Sequence, residues 1–239
     1  MLLGIDTSGA VSVAIMGGSL EHLDASVRHV RSDTRARHHD EVLLSLVDAV
    51  LEDAGITRSQ ITGVVVGRGP GPFTGLRVGL VAARSIAAVL DVPLVGVCSL
   101  DALAHQALAD ARADDAAAAS GGERTVAVAL DARRREVYHA RYRQGEDGAL
   151  QRLAGPAVAP PAEIAEELSA CDQLVGSGTV LYPEQLPATS ELVHVDASHL
   201  IEVAAQWITQ GEDLSSTDPL YLREPDAAKP SARKSALGR

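Results

Sequence analysis

Lysine is nearly absent from this 239-residue chain: Lys229 and Lys234 are the only two, and both lie in the last eleven residues. The body of the protein therefore has no Schiff-base lysine and no phosphate-loop lysine. Aromatic residues make up 3%, namely Phe73, Trp207 and four tyrosines. A core must then come from Val, Leu, Ile and Ala, which suit buried strands and close helix packing. Cys98 and Cys171 are too few and too isolated for a disulfide framework or a cysteine zinc site, and read as free thiols of a reducing compartment. No uninterrupted apolar stretch approaches the roughly 20 residues that span a bilayer. The N-terminus meets Asp6 before a signal-peptide run can develop. The expectation is a soluble cytoplasmic protein without membrane contact.

Positive charge is also short, with 21 Lys plus Arg against 32 Asp plus Glu. A stand-alone nucleic-acid binder is disfavoured, because phosphate contacts need clustered cations. Residues 1–104 sum to -3, residues 105–223 to -10 and residues 224–239 to +2. At about 150 residues per domain, the length fits one large domain or two lobes. The Ala/Asp-rich stretch Ala104 to Gly122 suggests a boundary between an N-terminal lobe, 1–104, and a smaller C-terminal lobe, 105–223. The tail, 224–239, has no periodicity and reads as disordered.

Leu2–Ile5 and Val11–Met16 read as strands, with Leu20–Arg28 a third. Between the first two, Asp6-Thr7-Ser8-Gly9-Ala10 can present a carboxylate, hydroxyls and backbone N–H groups to phosphate or metal-bound water, or can simply be an Asx or Ser/Thr turn. A helix over 40–54 confines its polar positions to Glu41, Ser45, Asp48 and Glu52, leaving more apolar surface than a surface helix needs. Ile61–Gly67 is a strand, Gly67 to Gly75 a rigid glycine turn, and Leu76–Leu90 a helix with the small-residue stripe Gly75, Gly79, Ala83 and Ala87. Both helices fit either burial within the domain or a subunit boundary. Leu94–Val97 is a strand and Ser99–Ala109 a helix. Thr125–Asp131 and Glu136–Arg143 make a hairpin tipped by Ala132-Arg133-Arg134-Arg135, the densest positive cluster. Ile164–Leu168 is helical, and Leu174-Val175-Gly176-Ser177-Gly178 is a strand entering a glycine turn. A last amphipathic helix over 198–211 can pack back on the N-terminal lobe. The pattern is two-lobed α/β.

Several chemistries are missing. The glycine turn lacks Gly-x-x-x-x-Gly-Lys and the dinucleotide fingerprint, and Pro70 and Pro72 remove backbone donors. None of the eight histidines forms His-Glu-x-x-His or an i, i+4 pair, and no Gly-x-Ser-x-Gly elbow occurs.

Ile5-Asp6-Thr7-Ser8 ahead of Ser12-Val13-Ala14 opens a series of recognisable blocks. It continues with Gly67-Arg68-Gly69-Pro70-Gly71-Pro72-Phe73-Thr74-Gly75-Leu76-Arg77-Val78-Gly79 and Gly96-Val97-Cys98-Ser99-Leu100. Asp131-Ala132-Arg133 with Glu136-Val137-Tyr138, and Pro219-Leu220-Tyr221-Leu222-Arg223, complete it. Together these blocks resemble the bacterial TsaB (YeaZ) family. The resemblance implies a two-lobed fold of the actin, Hsp70 and sugar-kinase (ASKHA) type. It implies a non-catalytic scaffold or activator subunit that pairs with the catalytic subunit TsaD, with the ATPase TsaE, in threonylcarbamoylation of the adenosine next to the tRNA anticodon. TsaB pairs through N-lobe helices and forms a homodimer in isolation through the same surface, and tRNA is met only within the complex. No intrinsic cofactor is implied, with ATP or ADP admitted at the TsaD boundary.

Where TsaD-like chains carry a metal-binding His-x-x-x-His, this chain has Ser99-x-x-x-Leu103, so no metal site of that type is expected. The resemblance assigns the two helices to a partner interface that includes Leu43, Leu46, Val47, Val50, Gly75, Gly79 and Ala83. Asp6, Thr7 and Ser8 are the candidate phosphate-binding residues. The competing function is an ATP-binding ATPase or small-molecule kinase of the same fold using those three residues; a metallopeptidase is a third reading. Lys229, Arg233, Lys234 and Arg239 of the tail can contact tRNA phosphates.

Overall fold

The structure is a computed structural model that describes residues 1–35, 39–115, 123–145 and 148–223. The expectations for the tail after Arg223 lie outside these residues. β1 (Leu2–Asp6), β2 (Val11–Gly18) and β3 (Leu23–Asp33) form an antiparallel meander. Helices α1 (His39–Asp53) and α2 (Phe73–Leu90) carry the chain across to β4 (Gly63–Gly67) and β5 (Leu94–Val97), which add in parallel beside β1. The sheet order is β3-β2-β1-β4-β5. α3 (Ser99–Asp115) leads to a second sheet that repeats the plan one strand shorter. There β6 (Arg124–Asp131), β7 (Val137–Gln144) and β8 (Leu150–Ala159) form the meander, and α4 (Pro161–Ser169) crosses to β9 (Gln173–Val175), parallel to β6. α5 (Ser177–Leu181) and α6 (Ala197–Thr209) follow.

Side chains alternate between sheet faces, so each strand feeds two cores. Leu3, Ile5, Val13, Ile15, Val64 and Val66 pack under α1 and α2. Leu2, Ala14, Met16 and Val65, on the other face, meet α3 and α6, and that core continues into Val126, Val128, Ala140 and Tyr142 of the second sheet. Beyond it, Ala127, Ala129 and Val137 pack with Ile164 and Leu168 of α4. The layers run helices, sheet, helices, sheet, helices, which is the two-lobed ASKHA arrangement. Strands buried on both faces explain the unbroken apolar runs at 2–5 and 64–66. α6 lies directly on the first sheet: a Cβ on Gly4 would stand 2.5 Å from the Ala197 carbonyl oxygen, so only glycine fits there.

Three elements depart from the sequence expectation. β3 runs on to Asp33, because the whole of β2 pairs with it. β8 was not anticipated: its half-buried, glycine- and proline-containing segment is held in the sheet by β7 rather than by an apolar pattern of its own. A short helix, α5, starts at Ser177 where a glycine turn was expected. Among the described residues α2 is the one helix long and apolar enough, by length and composition, to cross a bilayer. Here it lies along the first sheet on Leu76, Leu80, Ala83 and Ala87.

One buried ion pair binds the middle layer to the second sheet. Asp101, in the first turn of α3, is fully buried. Its Oδ1 accepts from Tyr142 Oη at 2.7 Å and from Arg152 Nε at 3.0 Å, and its Oδ2 accepts from Arg152 Nη2 at 2.7 Å. The same guanidinium lies over the Trp207 ring of α6, 5.1 Å from its centroid. A two-pronged arginine grip, with a hydroxyl donor as well, offsets the desolvation of a fully buried carboxylate. Arg152→Met should therefore lower unfolding free energy by about 3–5 kcal/mol, as expected for a buried carboxylate stripped of its counter-ion. Tyr142→Phe should cost about 1–2 kcal/mol, both read by urea denaturation.

Candidate functional site

The turn after β1 closes on itself and on α3. Asp6 Oδ1 accepts from the Ser8 backbone N–H at 2.9 Å and from Ser8 Oγ at 2.7 Å, and Asp6 Oδ2 accepts from Ser99 Oγ at 2.6 Å. Burial pushes the Asp6 carboxyl above the usual carboxylate range, against the hydrogen bonds from Ser99 and Ser8 and the attraction of His194. The glycine loop is moulded on this turn. A Cβ on Gly67 would stand 1.9 Å from Asp6 Oδ2, one on Gly71 2.6 Å from the Ser8 carbonyl oxygen, and one on Gly79 2.3 Å from Thr7 Oγ1. These glycines are needed because the turn touches their backbone. Thr7 is buried against α2, and its hydroxyl has no hydrogen-bond partner among the described residues.

Beside the turn lies a cleft of about 380 Å³ between the two sheets. Ser8 and Gly9 form one wall; Asp131, Arg133 and Ser177 form the facing wall, with His194 between them. The Asp131 backbone N–H donates to Ser177 Oγ at 3.1 Å, which ties the end of β6 to the start of α5. Burial holds the His194 imidazole below its usual value, against the pull of Asp6. Arg133, Arg134 and Arg135 all adopt left-handed backbone, with φ of 61°, 56° and 63°. Such a run costs about 1–2 kcal/mol per residue, and it turns the basic tip tightly beside the cleft. Of the three candidate phosphate-binding residues, only Ser8 lines this cleft. Asp6 and Thr7 face inward, because the knot with Ser99 and Gly79 takes up their side chains.

The segment before the tail straps the rim. The Gly96 backbone N–H donates to the Leu214 carbonyl at 2.9 Å, and the Leu220 N–H to the Arg68 carbonyl at 2.7 Å. Tyr221 stacks on Phe73 and accepts from Arg77 Nε at 2.9 Å, and Arg223 pairs with Glu136. Sequence blocks spread from residue 5 to residue 223 thus meet in one region: turn, glycine loop, start of α3, arginine hairpin and strap. His194 and the strap contacts at Leu214 and at Ser216, whose carbonyl accepts from Arg68 Nη1 at 3.0 Å, were not legible, since only folding brings them to the rim. Ser177 was visible as part of a glycine turn.

The outer side of α1 and α2 is a second candidate surface. Leu43, Val47, Val50, Gly75, Gly79 and Ala83, expected at a partner interface, are buried in the chain's own core. That corrects the choice of face: these side chains fill the space over the first sheet and are not free to meet a partner. Leu46 alone of the seven is only partly buried. Apolar surplus remains on the opposite stripes. On α2, Val81 is 62% and Val89 84% exposed, with Val78 and Ala82 half-buried at the same helical face; on α1, Val42, Leu46 and Ala49 follow one another at helical spacing and are half-buried. Ser99 and Leu103 stand where a metal-binding His-x-x-x-His was sought: the first donates to Asp6 and the second is core.

Comparison with known proteins agrees with this architecture. Residues 30–227 match the family model described as TsaD, tRNA N6-adenosine threonylcarbamoyltransferase. The chain is 36% identical over 231 residues to an uncharacterized protein of Mycobacterium tuberculosis, covering 97% of this chain and 95% of that one. It is 30% identical over 241 residues to the tRNA threonylcarbamoyladenosine biosynthesis protein TsaB of Escherichia coli, covering 95% and 96%. The solved structure of YeaZ from Pseudomonas aeruginosa superposes with a TM-score of 0.73 at 29% identity, covering 92% of this chain and 99% of that one.

Gly79→Ala separates steric from conformational effects. Helix propensity alone favours alanine by about 1 kcal/mol. The new methyl would meet the branched, buried Thr7 side chain, and overpacking of that kind costs about 1–3 kcal/mol. A net loss of stability is expected in urea denaturation, recovered when Thr7→Ala is added.

Proposed function

Because the chain belongs to the TsaB (YeaZ) family, we propose that it acts in tRNA threonylcarbamoyladenosine biosynthesis as a non-catalytic scaffold or activator subunit. Its partner in this reading is TsaD, with TsaE joining the complex, and the modified adenosine is the one next to the tRNA anticodon. The observation that carries the reading is the apolar stripe on α1 and α2 that the chain's own packing leaves half-buried at Val42, Leu46, Ala49, Val78 and Ala82 and exposed at Val81 and Val89. Val81 and Val89 are exposed in a helix whose opposite face already fills a core. Removing such a stripe from water by helix-on-helix docking is the usual source of subunit affinity. The same face serves a homodimer when TsaD is absent.

The remaining features agree with a supporting role. Asp6, the carboxylate an ATPase or sugar-kinase mechanism would use, has both oxygens engaged inside the protein. The cleft offers hydroxyls, backbone, and Arg133 with the Asp131 carboxylate paired to it, and no lysine, which suits ATP or ADP held at the TsaD boundary without turnover by this chain alone. A net charge of -11 leaves tRNA contact to the assembled complex, in the cytoplasm.

The interface is tested by co-purification with TsaD. Val81→Glu and Val89→Glu place charges on exposed positions, so folding is retained while TsaD capture falls at least about tenfold, as expected for a charge buried in an apolar contact. Capture unchanged by both substitutions would contradict the interface.

A further inference from the structure

His105 of α3 and His199 and Glu202 of α6 come together in the middle layer, away from the cleft and from the outer face of α1 and α2. We propose that these three side chains bind a divalent transition-metal ion of the zinc class and so tie α3 to α6. His105 Nδ1 lies 3.0 Å from His199 Nδ1, Glu202 Oε2 lies 2.6 Å from His199 Nδ1, and His105 Nδ1 lies 3.5 Å from Glu202 Oε2. Two imidazole nitrogens and a carboxylate oxygen are a common zinc donor set, and ligand atoms about 2.0–2.2 Å from a tetrahedral ion stand roughly 3.3 Å apart. Small side-chain adjustments bring the three atoms to that spacing.

Glu202 Oε2 gives the independent indication. It is a buried carboxylate oxygen that no hydrogen bond of standard geometry satisfies among the described residues, its near polar neighbour being His199 Nδ1 at 2.6 Å. A buried anionic oxygen held by so poorly directed a contact is costly, and a cation placed between it and the two rings would satisfy it.

Arg28 of β3 is the competing cation. Its Nη2 lies 3.1 Å from His199 Nε2, whereas a metal on Nδ1 requires Nε2 to carry the hydrogen. The guanidinium has a second anchor in Asp196 Oδ2, at 3.0 Å, and can turn to it when the ion enters. Three ligands on two helices leave a coordination position for water, and the His105 and Glu202 side chains, 18% and 21% exposed, provide the route in. The two histidines are 94 residues apart, a pairing that local spacing in the sequence cannot show.

The test is titration of cobalt(II) into the chelator-treated full chain, followed by its visible d–d absorption and by displacement with zinc. The expected result is one equivalent of tetrahedral cobalt. His105→Ala and the near-isosteric Glu202→Gln should each weaken binding at least about 100-fold, since loss of a ligand exceeds loss of its supporting hydrogen bond. Arg28→Gln should tighten it. Absence of a tetrahedral spectrum, a spectrum and affinity unaltered in His105→Ala and Glu202→Gln, or no tightening in Arg28→Gln would each overturn the site.

Discussion

Everything near the cleft is arranged around the buried carboxylate of Asp6. Its two oxygens hold the turn after β1 through Ser8 and the start of α3 through Ser99. The turn so fixed presses against Gly67, Gly71 and Gly79, and these contacts set how close the glycine loop and α2 lie to the sheet. Ser99 adds a return bond, with its backbone N–H donating to the Gly69 carbonyl at 2.8 Å. One desolvated acid thus positions three elements. Its raised pKa reflects the cost of that burial, which the hydroxyl donors only partly offset.

A second buried acid, Asp101, sits two residues beyond Ser99 in the same helix and grips the second sheet through Arg152 and Tyr142. The start of α3 is therefore pinned to both sheets by charge and hydrogen bonds, while α6 fills the layer beside it with apolar side chains. A framework tied this closely carries the outer helices α1 and α2 on a rigid base. In the proposed role that rigidity matters more than chemistry: a subunit whose function is to present a face to a partner gains affinity from a surface that needs no ordering on binding.

Much of this was legible in the residues. The unbroken apolar runs marked strands buried on both faces, and the excess apolar surface of the 40–54 helix and the small-residue stripe of the 76–90 helix left burial or a subunit boundary open. What the pattern could not do was say which side faces which neighbour. Periodicity reports how wide the apolar surface is, not what lies against it, so the most apolar and smallest positions, Leu43, Val47, Gly79 and Ala83, were assigned outward when they serve the core. Asp6-Thr7-Ser8 was open to a turn or a phosphate site on spacing alone; the distances to Ser99 and Gly79 show where the Asp6 and Thr7 side chains go, which spacing could not. β8 was hidden because a strand paired on one side and half exposed needs little apolar alternation. The His105, His199 and Glu202 cluster was hidden because His105 of α3 meets the other two, on α6, only across helices.

The central claim is that this chain supports a reaction carried out by its partner. The direct measurement is threonylcarbamoylation of tRNA by purified TsaD and TsaE, supplied with threonylcarbamoyl-adenylate and ATP, with and without the full chain, alongside ATP turnover by the chain alone. The account predicts modified tRNA only when the chain is added and no steady ATP turnover by the chain by itself. Full modification in its absence, or steady turnover abolished by Asp6→Ala, would contradict it.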